Sequence, residues 1–180
     1  MRPAARNLLR RATDAQYRLF DRMRHRDARR AAEMPGRTGP FDEIGDSGYL
    51  LLVTFKRDGE PVPTPVMFSK REGKLWLRSE PTAKVKRLRA DSRVRVAACD
   101  PRGKPKTPVY EGQASELPRE EHERAWGFLR EGYSRAIRVY ERAADRSPFE
   151  MSYVVVSPVG SGGLETSRGP VQVPPSGTAP

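Results

Sequence analysis

The chain has 180 residues, with 34 Lys plus Arg against 23 Asp plus Glu, a formal charge of +11 and a single cysteine. That length suits one domain with appendages, burying about two thirds of its unfolded surface, and a lone thiol excludes an internal disulfide scaffold. No apolar run approaches the roughly 18 residues of a membrane helix, and no charged-then-apolar leader pattern is present, so a soluble cytoplasmic protein is expected.

Taken from the N-terminus, residues 1–40 hold 11 Arg against 4 acidic residues, so most of the excess charge belongs to an extension. Leu8, Ala12, Leu19, Phe20 and Met23 recur near helical spacing among those arginines, which predicts a basic amphipathic helix. Such a helix suits nucleic acid, an anionic membrane or a partner subunit, and equally a solvated helix laying one apolar stripe on the body. Met34, just before PGRTGP, is an alternative start of translation.

Next comes YLLLVTFKRDGEPVPTPVMF, residues 49–68. Asp58-Gly59 between two β-rich runs predicts a hairpin with a type I′ turn, pairing 49–57 with 60–69. Alternate residues of a strand direct their N–H and C=O groups to the same neighbour, so Pro61, Pro63 and Pro65 all lack a donor on one edge. The other edge, with Val62, Thr64 and Val66, pairs with the first strand. The proline edge is left for a loop or a flat ligand, or simply protects the strand from aggregation.

Further strands are predicted at 74–79, 94–100, 109–117 and 151–157, which gives a mainly β fold: a six-stranded antiparallel barrel. Between the third and fourth lies LRSEPTAKVKRLRADSRV. Thr82 can cap a short helix over 83–90, whose first N–H groups and positive dipole end suit a phosphate. Lys84 and Lys86 add positive charge, Arg78 can offer a bidentate fork, and Val85 and Leu88 would hold the helix to the barrel. A solvated basic helix is the competing reading. Cys99 in VRVAACD reads as a small core residue. A helical insert starts near Pro118, with Glu120, Glu121 and Glu123 beside its dipole. Its buried stripe is expected from Ala125, Phe128, Leu129, Ile137 and Tyr140, with a break near Gly132. From Val159 onward the Gly-, Pro- and Ser-rich segment reads as a disordered tail. The predicted division is thus 1–40, 41–158 and 159–180.

FDEIGDSGYLLLVTFKRDGEPVPTPVMF, GKLWLRSEPTAKVKRLRADSRVRVAACDPRGKP and VYEGQASEL, occurring in this order, resemble the pyridoxamine phosphate oxidase-like split-barrel flavoproteins, closest to their coenzyme F420-dependent branch. The resemblance covers about residues 41–157. It implies a split barrel that dimerises with a flavin or deazaflavin at the interface. Contacts to the ring are implied from Thr64, Pro65, Val66 and Met67, and contacts to the phosphate from Thr82, Lys84 and Lys86. The wider family carries Ser-Arg-Lys where this chain has Thr82-Ala83-Lys84, which speaks for F420 over FMN. The chain also lacks a C-terminal segment bearing Arg and His, which speaks against oxidation of pyridoxamine phosphate.

The implied activity is hydride transfer between reduced F420 and a small conjugated acceptor, a reaction that requires positioning and charge stabilisation but no dedicated nucleophile. His25 and His122 fall in no metal-ligand or triad pattern and read as surface residues. Lys56, Arg78 and Tyr110 are candidate proton donors, and Trp76 is either a stacking platform or core. Two alternatives stay open. One is a non-catalytic split barrel carrying FMN, another flavin or a tetrapyrrole. The other is a basic barrel that binds single-stranded nucleic acid on Trp76, Phe55 and Tyr110.

Overall fold

The alternating apolar residues close into one antiparallel barrel in the computed structural model, which describes residues 26–133 and 151–160. Its strands are β1 (Ser47–Phe55), β2 (Pro61–Arg71), β3 (Lys74–Ser79), β4 (Arg93–Cys99), β5 (Tyr110–Glu116) and β6 (Ser152–Pro158), in the spatial order β1-β2-β3-β6-β5-β4. Three described helices accompany them: α1 (Arg26–Glu33), α2 (Ala83–Ala90) and α3 (His122–Gly132), the last preceded by a 3-10 turn at Arg119–Glu121. No described helix is long and apolar enough to cross a membrane.

Period-two alternation divides each strand between two apolar layers. Leu50, Leu52, Val66, Phe68, Leu75, Leu77, Val94, Val96, Val154 and Val156 fill the barrel interior. On the outside, Leu51, Val53 and Cys99 lie under α1 with Ala28, Ala31 and Ala32. A third layer joins Trp76, Tyr153 and Val155 to Ala125, Leu129 and Tyr133 of α3 and its C-cap. Residues 26–37 are therefore built into the barrel wall. Arg95 carries its guanidinium to the Ala32 carbonyl at 2.9 Å and to Glu111 at 2.9 Å, and Glu111 also accepts the Gly36 N–H at 2.8 Å. The stripe from Leu8 to Met23, the residues Ile137 and Tyr140, and the tail beyond residue 160 lie outside the described residues.

The hairpin forms where expected, but with a different turn. Lys56 and Glu60 flank a three-residue loop in which Gly59 N–H donates to the Lys56 carbonyl at 3.0 Å. Gly59 has φ 85°, whereas Asp58 keeps a negative φ and accepts the Glu60 N–H at 3.0 Å through its carboxylate. This is a type I turn followed by a glycine bulge, favoured because the Asp58 side chain holds the extra residue in place. The type I′ geometry occurs instead at Glu72-Gly73, with φ 56° and 70°, between β2 and β3. The insert starts where expected, with Pro118 as the N-cap of the 3-10 turn that leads into α3, and α3 ends at Gly132. There an added Cβ would lie 2.4 Å from Ser69 Oγ, so the glycine permits a close approach of α3 to β2.

Candidate functional site

β1 pairs with β2 along its whole length, from Phe55 opposite Pro61 to Ser47 opposite Ser69. The ladder of β2 with β3 covers only Phe68 to Arg71. Beyond Leu77, β3 pairs with β6 alone, Arg78 opposite Tyr153 and Ser79 opposite Ser152. The barrel is thus split between β2 and β3, and residues 61–67 have a strand on one side only. Proline explains which side. Pro61, Pro63 and Pro65 have no N–H to give, so the ladder to β1 is carried by Val62, Thr64 and Val66.

Side chains in this segment alternate between the two faces. Val66 is 7 % exposed and committed to the interior, and Thr64, opposite Leu52, shares that face and is half-buried. Pro65 and Met67 face outward, Met67 joining the apolar layer under α3. Of the four expected ring contacts, Val66 therefore has neither its side chain nor its backbone donor available, while Thr64, Pro65 and Met67 remain half-buried.

Past the end of β3 the chain passes through Glu80-Pro81 into α2. Thr82 takes the N-cap position with an extended backbone, φ −92° and ψ −178°, and its hydroxyl makes no capping bond. Its N–H donates to the Glu80 carbonyl at 2.7 Å, and its carbonyl accepts from Lys86 at 3.2 Å. The next three N–H groups have no carbonyl within the helix to bind, the usual condition of a helix start and one that suits an anion. Lys84 stands on this first turn. Burial pushes its ammonium down from the ordinary lysine value to about 8, partly offset by Glu80 and reinforced by Arg87. Lys84 is half-buried, and a positive charge partly withdrawn from water gains more from an anionic partner than a fully exposed lysine does. Lys86, by contrast, is exposed.

The helix itself is held firmly. Val85 and Leu88 are buried, Arg87 Nε donates to Thr54 Oγ1 at 2.7 Å, and Arg89 grips Glu116 with two bonds of 2.6 and 2.8 Å. Arg78 lies near the end of β3, as expected. Its buried guanidinium stacks 4.2 Å from the ring centroid of Trp126 on α3, on the outer face of β3. The sequence reading missed Trp126, since nothing in the spacing of the two residues announces the contact.

The remaining candidates disperse. Lys56 is tied to Glu60 at the hairpin, which raises its pKa. Tyr110 is buried edge-on against Phe41 at 5.9 Å and donates its O–H to Glu43 at 2.8 Å; burial, then Glu43, raises its pKa. It serves the packing of the loop before β1. Trp76 is core, donating Nε1–H to the Arg71 carbonyl at 3.1 Å. With Trp76 outside the barrel wall under α3 and Tyr110 inside it, the proposed nucleic-acid platforms share no exposed face. His122 meets the Leu117 carbonyl at 3.1 Å and leans on Tyr153, and among the described residues no group of three or more His, Cys, Asp or Glu can hold a metal. Cys99 is buried, and burial drives its thiol up to about 12, out of the nucleophilic range.

No family model and no curated protein matches the sequence. Among solved structures, the protein Atu2129 of unknown function from Agrobacterium tumefaciens is similar at 17% identity and a TM-score of 0.52, over 71% of this chain and 58% of that one. An F420-H2 dependent reductase, FDR-A, is similar at 21% identity and TM-score 0.46, over 61% of this chain and 93% of that one. A protein from Clostridium acetobutylicum described as of the pyridoxinephosphate oxidase family is similar at 16% identity and TM-score 0.45, over 65% and 78%. At 17% identity the likeness to Atu2129 concerns the fold alone.

Proposed function

We propose that this chain is an oxidoreductase that binds F420, in preference to FMN, in the split between β2 and β3 and transfers hydride between the reduced cofactor and a small conjugated acceptor. The observation that carries the reading is the one-sided segment 61–67, set beside a β3 end that leads directly into a helix start bearing Lys84. The donor set fits a phosphate-bearing group: an uncapped Thr82 hydroxyl, the first-turn N–H groups of α2 and an ammonium partly withdrawn from water. Ala83, where the wider family carries arginine, leaves one fork fewer for FMN.

When bound, reduced F420 supplies a hydride from C5. The chain's part is to hold and shield. Lys84 and the α2 N–H groups bind the phosphate, and Thr64, Pro65 and Met67 set the ring against the strand edge. The apolar layers on either side of β2 keep water away, where an uncompensated dipole acts at greater strength. A homodimer with the cofactor at its interface completes the reading.

Fluorescence titration of the full-length protein with F420 and with FMN tests it. Saturable binding of F420, weaker binding of FMN and a loss of about tenfold in Lys84→Ala, about 1.4 kcal/mol, are expected. Absence of binding by either cofactor refutes it.

A further inference from the structure

Residues 61–67 of β2 have β1 on one side and no strand on the other, so the sheet alone does not fix how far this segment stands from the barrel. What lies behind it is a joint of four segments. The turn from Asp100 to Lys104 repeats the first hairpin: Gly103 N–H donates to the Asp100 carbonyl at 2.9 Å, Asp100 N–H donates to the Lys104 carbonyl at 3.0 Å, and Gly103 has φ 84°. The Asp100 carboxylate accepts the N–H groups of Arg102 at 2.8 Å and Lys104 at 2.9 Å, making the turn rigid. Gly103 is buried against β2. A Cβ on Gly103 would stand 3.1 Å from Pro65 Cγ, 3.4 Å from Ala28 Cβ and 3.5 Å from Leu51 Cδ1. Ala28 and Leu51 are 0% and 1% exposed, so the joint has no spare room.

Resting on the F420 reading, we infer that Gly103 and Ala28 are positioning residues for that cofactor: Gly103 lies against Pro65 at the back of the edge strand, Ala28 lies against Gly103, and together they set, through Pro65, where the ring comes to rest. A turn and a helix thereby do for residues 61–67 what a second neighbouring strand does elsewhere in the barrel. It also gives α1 a function beyond covering apolar surface, because the helix that carries Ala28 is part of the stop against which the ligand strand leans.

Two variants act in opposite directions. Gly103→Ala pushes on Pro65 and strains a positive-φ backbone, and Ala28→Gly withdraws a methyl from the joint. Amide hydrogen exchange on the cofactor-free protein is expected to rise by about tenfold at Val62, Thr64 and Val66 in both, with β4 and β5 unchanged. F420 affinity is expected to fall by about tenfold in both, with a shift in the absorption of the bound cofactor. Gly112→Ala is the control, because its Cβ would meet Val156 at 2.7 Å inside the barrel and destabilise the fold without touching β2. Unchanged exchange at residues 62–66 in both variants overturns the inference, as does an equal loss of affinity in Gly112→Ala at matched stability. If the unmodified protein binds neither F420 nor FMN, the proposed function fails, while the exchange measurement still decides whether the joint positions β2.

Discussion

Lys84 makes the proposed anion site testable by pH alone. Its ammonium is half-protonated at about 8 in the protein, against an ordinary 10.5, chiefly because burial disfavours the charged form. A charged hydrogen bond to a phosphate oxygen is worth about 1.5–3 kcal/mol, and each pKa unit corresponds to about 1.36 kcal/mol, so a bound phosphate raises the lysine back toward its ordinary value. Between pH 8 and the raised value the dissociation constant is expected to climb by up to tenfold per pH unit, about 10- to 150-fold in all, and then to level off. Stability has the opposite sign. The unfolded chain binds more protons than the folded one between pH 8 and 10.5, so the cost of burying the ammonium is full below pH 8 and lifted as pH rises. Titration of F420 fluorescence from pH 7 to 10.5, with urea unfolding of the cofactor-free protein over the same range, reads both trends. The Lys84→Ala variant removes titrations that belong to the cofactor. A flat difference between the two proteins, in affinity and in stability, refutes the assignment of the phosphate to Lys84.

Removing residues 1–33 strips α1 from Leu51 and Val53, each 1% exposed. At about 1.5–3 kcal/mol for each large apolar side chain uncovered, a loss of several kcal/mol is expected, read as a lower Tm. The Cys99 thiol beneath α1 should become reactive to thiol reagents only in that shortened chain; equal Tm and labelling in the two proteins would show α1 to be dispensable. Gly132→Ala forces a Cβ onto Ser69, at 2.4 Å from Oγ and 2.9 Å from Cβ, and is expected to cost about 1–3 kcal/mol in urea denaturation. Ser69→Gly in the same chain should restore most of it, and failure to do so would place the strain elsewhere.

Proline spacing made the open edge of β2 legible, because a missing N–H is a property of the residue and needs no tertiary knowledge. The α2 start was legible for the same reason, in Thr82 and the lysines that follow. The turn at Asp58-Gly59 was half legible: the dipeptide announces a reversal, but whether the loop holds two residues or three depends on how the flanking strands register. α1 was obscured since RDARRAAE carries its apolar face in three alanines, which weigh little beside its charges. Arg78 and Tyr110 were placed by strand position alone. Their heads turn to Trp126 and to Glu43, partners far off in sequence, and those contacts follow from a packing that the local pattern does not encode.

β6 is inserted between β3 and β5, with Val156 opposite both Leu75 and Ala114. A chain emerging from the ribosome can form the β1-β2 and β2-β3 hairpins and the β4-β5 pair early, since these contacts are near in sequence. Two strands nonetheless wait with bare edges, one on each flank of a gap that only the last strand fills. Protease digestion of stalled nascent chains should find β3 and β5 accessible until Pro158 has cleared the exit tunnel. Closure of this barrel thus waits for β6, whose arrival decides whether the waiting edges meet their own chain or another molecule's.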